Sequence, residues 1–229
     1  MWTENPILGF DTETTGVDPA TARLVTASIV IVEDAATVTK HYWLADPGVE
    51  IPLAAQNVHG ISTEKARREG EPVAKVLEEI ADILHAHLAA GNPVVAFNAS
   101  YDLTLMEAEL QRHGLLTLTE RLGHEISPVV DPYMLDRHID RYRRGKRKLE
   151  NLAEYYGVAQ ADNFHNAEAD VLATLRVLGA MLRRYPELAT DPLTALMKYQ
   201  TDAYTELQSY IANKNGATYT PSGWPVTRA

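Results

Sequence analysis

The chain has 229 residues, 45% hydrophobic and 23% charged, with 21 basic against 31 acidic side chains and a net charge of -10. That length allows one substantial core, or a core with an appendage, and the acidic balance argues against a protein that coats nucleic acid non-specifically. The sequence contains no cysteine, which excludes disulfides and thiolate metal sites and is compatible with a reducing compartment.

The N-terminal segment MWTENPILGF has no basic region leading into a long apolar core, and no apolar run approaches membrane-spanning length, so a cytoplasmic location with no membrane contact is expected. β-branched and apolar content predicts strands over residues 7–12, 24–32 and 37–44, with a turn near Glu33 and Asp34. From Val73 onward, Val76, Leu77, Ile80, Ala81, Leu84 and Leu88 recur at helical spacing until Gly91. A short buried strand follows at 94–97, then a helix that Ser100 can cap, running to about 113. A brief strand at 129–130 precedes helical segments near 132–142 and 149–156. Asn166 can cap a long helix with Val171, Leu175, Leu178 and Leu182 on one stripe and Arg183 and Arg184 at its negative end. A three-strand meander followed by β-α alternation predicts an α/β fold, a mixed central sheet of about five strands flanked by helices.

The stretch ILGFDTETTG sets Asp11 and Glu13 two residues apart on a predicted strand, where side chains i and i+2 share a face. Two carboxylates held that closely repel, and a divalent cation removes the penalty; an oxygen-only donor set favours Mg2+ or Mn2+. Further acids stand where such a fold can gather them. Asp102 lies in the first turn of the helix after VVAFNASYD, and in FHNAEAD His165 precedes Asp170 by five residues near the start of the long helix.

With D-x-E at a strand end, N-x-x-x-D at a strand-helix junction and H-x-x-x-x-D at a helix start, in that order, residues 6–185 resemble the DnaQ-like, DEDDh-type 3'→5' exonucleases. That superfamily has an RNase H-like fold and includes the proofreading epsilon subunit of bacterial DNA polymerase III. The resemblance implies that Asp11, Glu13, Asp102 and Asp170 bind two divalent ions, Mg2+ or Mn2+, and that His165 is the general base. The spacing from His165 to Asp170 fits the histidine subclass, since the tyrosine subclass would place a tyrosine where Asn166 stands. It further implies that Thr14, Thr15 and Gly16 hold the terminal nucleotide, with His59, in VHGIS, and Phe97 near its base or sugar. The expected substrate is a single-stranded or frayed 3' end of DNA, or of RNA in a small-RNA-trimming enzyme.

Several features keep two readings. Phe97 suits a core position or a stacking platform, His59 a turn or the nucleotide site, and Asn98 a place near the metals or a helix cap. His85, His87 and His113 read as surface or helix-end residues. The run RYRRGKRK, residues 141–148, carries six of the 21 basic side chains and no acid, and is either a phosphate grip or a solvated loop. If all six met a single strand, they would contribute about -4 to the slope of log K against log salt. Residues 186–229 form a C-terminal extension with helical character and an aromatic, turn-rich tail, outside the expected exonuclease domain of 1–185. Three roles are open to it: packing on the nuclease, dimerising, or binding a polymerase or another partner. A non-catalytic binding or scaffold module of a polymerase or repair complex is the alternative function, and the four clustered acids count against it, since they destabilise a metal-free protein.

Overall fold

A computed structural model describes residues 1–34, 36–158, 167–221 and 223–227. Three long strands come first: β1 (Ile7–Thr14), β2 (Leu24–Val32) and β3 (Val38–Asp46). Helices α1 (Leu53–His59) and α2 (Thr63–Glu69) lead to β4 (Glu71–Pro72), then α3 (Val73–Ala89), β5 (Val94–Val95) and α4 (Ala99–Arg112). After α5 (Leu118–Leu122) come β6 (Val129–Val130), α6 (Pro132–Ile139) and α7 (Leu149–Tyr155). The chain continues with α8 (Ala167–Arg184), α9 (Glu187–Thr190) and α10 (Leu193–Lys214).

The strands form one six-stranded mixed sheet in the order β4-β3-β2-β1-β5-β6. The pairs β1-β2 and β2-β3 are antiparallel, whereas β1-β5, β5-β6 and β3-β4 are parallel. The expected α/β architecture is present with one strand more than the sequence pattern reveals. That strand, β4, is a two-residue Glu-Pro edge with no periodicity to detect, and it exists through its pairing with β3.

Side-chain alternation along β1 divides the core. Leu8 and Phe10 point into a cluster with the α3 stripe (Val76, Leu77, Ile80, Leu84) and with Leu103 and Met106 of α4. On the opposite face a Cβ at Gly9 would meet Val171 Cγ1 at 2.5 Å, so only glycine lets α8 lie this close to β1. The approach seats the start of α8 over the β1 face that carries Asp11 and Glu13.

Beyond residue 185 the chain continues to pack on this body. Trp2 Nε1 donates to the Leu188 carbonyl at 2.9 Å, and Leu188 and Leu196 share a buried cluster with Val95, Val130 and Val177. Trp224 and Val226 lie against the larger core. His87, expected at the surface, is buried, with Nε2 3.2 Å from the Pro93 carbonyl. Among the described residues no helix is long and apolar enough to cross a membrane. His165 and the proposed Asn166 cap lie outside the described residues.

Candidate active site

The site lies where β1 ends beside the first turns of α4 and α8. Pairing to β2 carries β1 through Glu13 to Thr14, two residues beyond the predicted limit, and holds Asp11 opposite Ser28 and Glu13 opposite Thr26. The register shifts between Glu13 and Thr14, which pairs with Leu24, so the ladder is irregular directly after the second acid. Asp11, Glu13 and Asp170 each offer a carboxylate oxygen within 4.8 Å of the others, a set able to hold a metal ion.

Asp102 joins them from the opposite side of β1. Thr12, between the two strand acids, points to the α4 face, and its Oγ1 donates to Asp102 Oδ1 at 2.6 Å. Asp102 is buried and close enough to raise the pKa of both Asp11 and Glu13.

The electrostatics are those of acids crowded out of water. Burial pushes Asp11 well above the usual carboxylate range, and Asp102, Asp170 and Glu13 add to the rise. Burial, then Asp170 and Asp102, pushes Glu13 up to about 8. Burial raises Asp102 to about 7 against the opposing hydrogen bond from Thr12. Such a donor set, oxygen-only and repulsive without a cation, fits a hard divalent ion.

These shifts predict a stability profile. The folded metal-free protein retains protons that an unfolded chain, with carboxyl pKa values near 4, has released. The stabilising contribution of these groups is full below about pH 4 and is lost as pH rises through the folded values. The melting temperature in chelator should therefore fall between about pH 5.5 and about pH 8.5. Each kcal/mol so lost corresponds to roughly 2–4 °C in a chain of this size. Millimolar Mg2+ or Mn2+ should restore more at the upper end than at the lower. Scanning calorimetry across that range tests this, and a melting temperature that climbs with pH in chelator would contradict it.

The TTG segment is held by its own contacts. Thr15 accepts Arg23 N at Oγ1, 2.9 Å, and its N–H donates to the Arg23 carbonyl at 3.0 Å. Thr14 Oγ1 donates to the Gly16 carbonyl at 2.7 Å, and the Tyr101 hydroxyl bonds that same carbonyl and lies 2.6 Å from Thr14 Oγ1. His59 is half-buried. Its Nδ1 accepts Ile61 N at 3.1 Å, which serves the turn, while its ring also neighbours the Thr14 backbone. Burial lowers its pKa, so the neutral ring is favoured.

β5 ends at Val95, short of the expected 97, and Phe97, half-buried in the turn that follows, stacks on Tyr133 with centroids 5.6 Å apart. Asn98 occupies the N-cap position of α4 in the left-handed region, φ 61°, but its side chain makes no capping bond. The cap comes instead from Asp131, whose carboxylate accepts Asn98 N at 3.0 Å and Ala99 N at 3.1 Å, and the expected Ser100 cap lies two positions past the N-cap, inside the helix. Pattern reading missed Thr12, Tyr101 and Asp131. Thr12 was open to detection, since alternation puts it on the face opposite its two acidic neighbours.

The basic run is corrected by its acid partners. Asp136, fully buried, holds Arg143 at 2.6 Å and also binds Arg147, while Arg141 pairs with Glu206. Arg144, Lys146 and Lys148 remain exposed. Three phosphate contacts contribute about -2 to the salt slope rather than -4. Neutralising Arg144, Lys146 and Lys148 together should flatten the slope by about that amount, and an unchanged slope in a filter-binding titration would make the run a solvated loop.

A family model described as RNase_T, Exonuclease, matches residues 8–178, from the start of β1 into α8, and the chain belongs to this exonuclease family. Over 198 residues it is 28% identical to the PolC-type DNA polymerase III of Streptococcus agalactiae serotype III (strain NEM316), covering 86% of this chain and 12% of the polymerase. The corresponding protein of Streptococcus thermophilus (strain ATCC BAA-491 / LMD-9) is 29% identical over 170 residues, 74% of this chain and 10% of that one. The fold is similar to a solved exonuclease I, with a TM-score of 0.70 at 21% identity over 80% of this chain and 42% of the other. It is also similar to E. coli exonuclease I in complex with a dT13 oligonucleotide, with a TM-score of 0.67 at 19% identity over 81% and 43%. The chain thus spans a small part of the polymerases and less than half of the exonuclease I chains.

Proposed function

We propose that the chain is a 3'→5' exonuclease that removes nucleoside monophosphates from single-stranded or frayed DNA ends, using two divalent ions, Mg2+ or Mn2+. The observation that carries this reading is the gathering of Asp11, Glu13 and Asp170 within 4.8 Å at one strand end, with Asp102 close enough from the α4 side to raise both strand acids, at the cost of burial and mutual repulsion. Bound there, the ions would stabilise the attacking and leaving oxygens of an in-line displacement at phosphorus. Asp11, which faces all three other acids, would serve both ions, with Glu13 and Asp170 helping to hold one and Asp102 the other. The Thr14–Thr15–Gly16 segment would grip the terminal nucleotide through main chain and hydroxyls, with His59 and Phe97 flanking base or sugar. Asn98, exposed next to Phe97 at the start of α4, would contribute there too.

His165, with an unperturbed pKa near 6.5, would accept the proton of the attacking water. DNA is favoured over RNA because the similar proteins are DNA polymerases and an exonuclease seen with a DNA oligonucleotide. The same kinship supports action beside a polymerase, in the cytoplasm, with residues 1–185 as the exonuclease domain and 186–229 as an extension. Matched DNA and RNA 20-mers labelled at the 5' end, incubated with Mn2+, test the proposal. A DNA ladder shortening from the 3' end and silenced by EDTA is expected, and undiminished cleavage in excess EDTA overturns it.

A further inference from the structure

The start of α4 is held by a residue that the family match does not reach. Gln200 lies in the middle of α10, past residue 178, and is fully buried. Its Nε2 donates to the Val129 carbonyl at 3.0 Å and to the Leu196 carbonyl at 2.9 Å, and its Oε1 accepts the N–H of Asp131. Val129 O and Asp131 N–H lie on one side of β6, the edge strand of the sheet. An edge strand presents such a carbonyl and N–H to whatever lies beside it, and a primary amide, with one donor and one acceptor side by side, substitutes for the peptide group of a missing neighbour.

The residue so fixed is Asp131. One of its carboxylate oxygens accepts Asn98 N at 3.0 Å and Tyr133 N at 2.9 Å, and the other accepts Ala99 N at 3.1 Å. It therefore caps α4 and α6 together. Asn98 in its left-handed conformation turns the chain from β5 into α4, and Asp102 follows in the first turn of that helix, bonded to Thr12 between the two strand acids. Hydrogen bonds connect Gln200 to the end of β6 and Asp131 to the first N–H groups of α4, and the first turn of that helix carries Asp102.

We propose that Gln200 is a positioning residue for the candidate metal site, and that α10 sets the placement of Asp102 through Asp131. The inference rests on Asp102 being a metal ligand. Gln200 touches neither substrate nor metal. Its contribution is to hold one ligand at the separation the ions require, which supporting partners of metal ligands commonly do at a cost of tenfold or more in affinity when removed.

The test is Mn2+ binding by calorimetry on the full-length chain, with exonuclease rate against Mn2+ concentration in parallel. Gln200→Met keeps length and volume and removes both polar ends; Leu196→Ala, one turn earlier on the same helix, loosens packing and leaves the amide in place. The expected result is an Mn2+ dissociation constant raised about tenfold in Gln200→Met, with the rate at saturating Mn2+ within about threefold of the parent. Leu196→Ala, at a similar or larger loss of melting temperature, should keep the parental constant. Should Gln200→Met fold poorly, Asp131→Asn, which replaces one acceptor of a helix N–H with a donor, is expected to raise the constant at least as far.

A parental constant in folded Gln200→Met overturns the proposal, as does an equal shift in Leu196→Ala, which would make α10 a packing element only. Asp102→Asn distinguishes this from failure of the underlying reading. A parental constant in that variant removes Asp102 from the metal site, and the positioning role with it.

Discussion

Asp11→Ala is expected to abolish turnover more completely than the loss of any other single acid. Asp11 faces Asp102, Asp170 and Glu13 at once, whereas Glu13 is raised by Asp170 and Asp102. If it serves both ions, its removal forfeits several kcal/mol of transition-state stabilisation, on the order of a 10³-fold fall in rate. A second readout runs in the opposite direction. Removing one of four crowded carboxylates relieves repulsion, so in chelator near pH 8 the variant should melt at a higher temperature than the parent, and it should lose most of the stabilisation that Mn2+ gives the parent. Rate measurements at saturating Mn2+ together with melting curves check both halves. Parental turnover, or an undiminished Mn2+-dependent rise in melting temperature, contradicts the central role of Asp11.

His165→Ala is expected to separate proton transfer from metal holding. Lost general bases lower rates by roughly 10² to 10⁴. If His165 is the base and not a ligand, Mn2+ affinity and single-strand affinity should stay near the parental values. The parent rate should rise with pH through the titration of a histidine near 6.5, and the variant should lose that limb. A pH-rate profile of both proteins at saturating Mn2+ decides the matter. Near-parental turnover with the same limb places the base elsewhere, even if all four acids prove essential.

Asp11 and Glu13 were legible because strand alternation is a local rule: two residues apart means one face, wherever the strand lies. The α3 stripe was legible for the same reason at a period of 3.6, and all six of its members are buried. The six cations of 141–148 were legible as charge, but which of them are paired was not, since the partners of Arg141, Arg143 and Arg147, Glu206 and Asp136, sit on other elements, one of them far along the chain. The cap of α4 was misassigned for a similar reason. Local pattern offered Asn98 and Ser100, whereas the acceptor comes from Asp131 at the end of a different strand.

By itself the sequence determined the alternating strand and helix order, the acid pair on β1, the acids of the two helix starts and the family to which these motifs belong, because each is written in short-range spacing. Tertiary structure alone decided which acids meet, that Gly9 lets α8 approach β1, that Tyr101 closes the TTG segment, and that Gln200 reaches the edge of β6 from beyond the matched region. Those outcomes depend on pairs separated by many residues, whose contact is fixed by packing and by the need of every buried polar group for a partner, neither of which leaves a periodic trace in the chain.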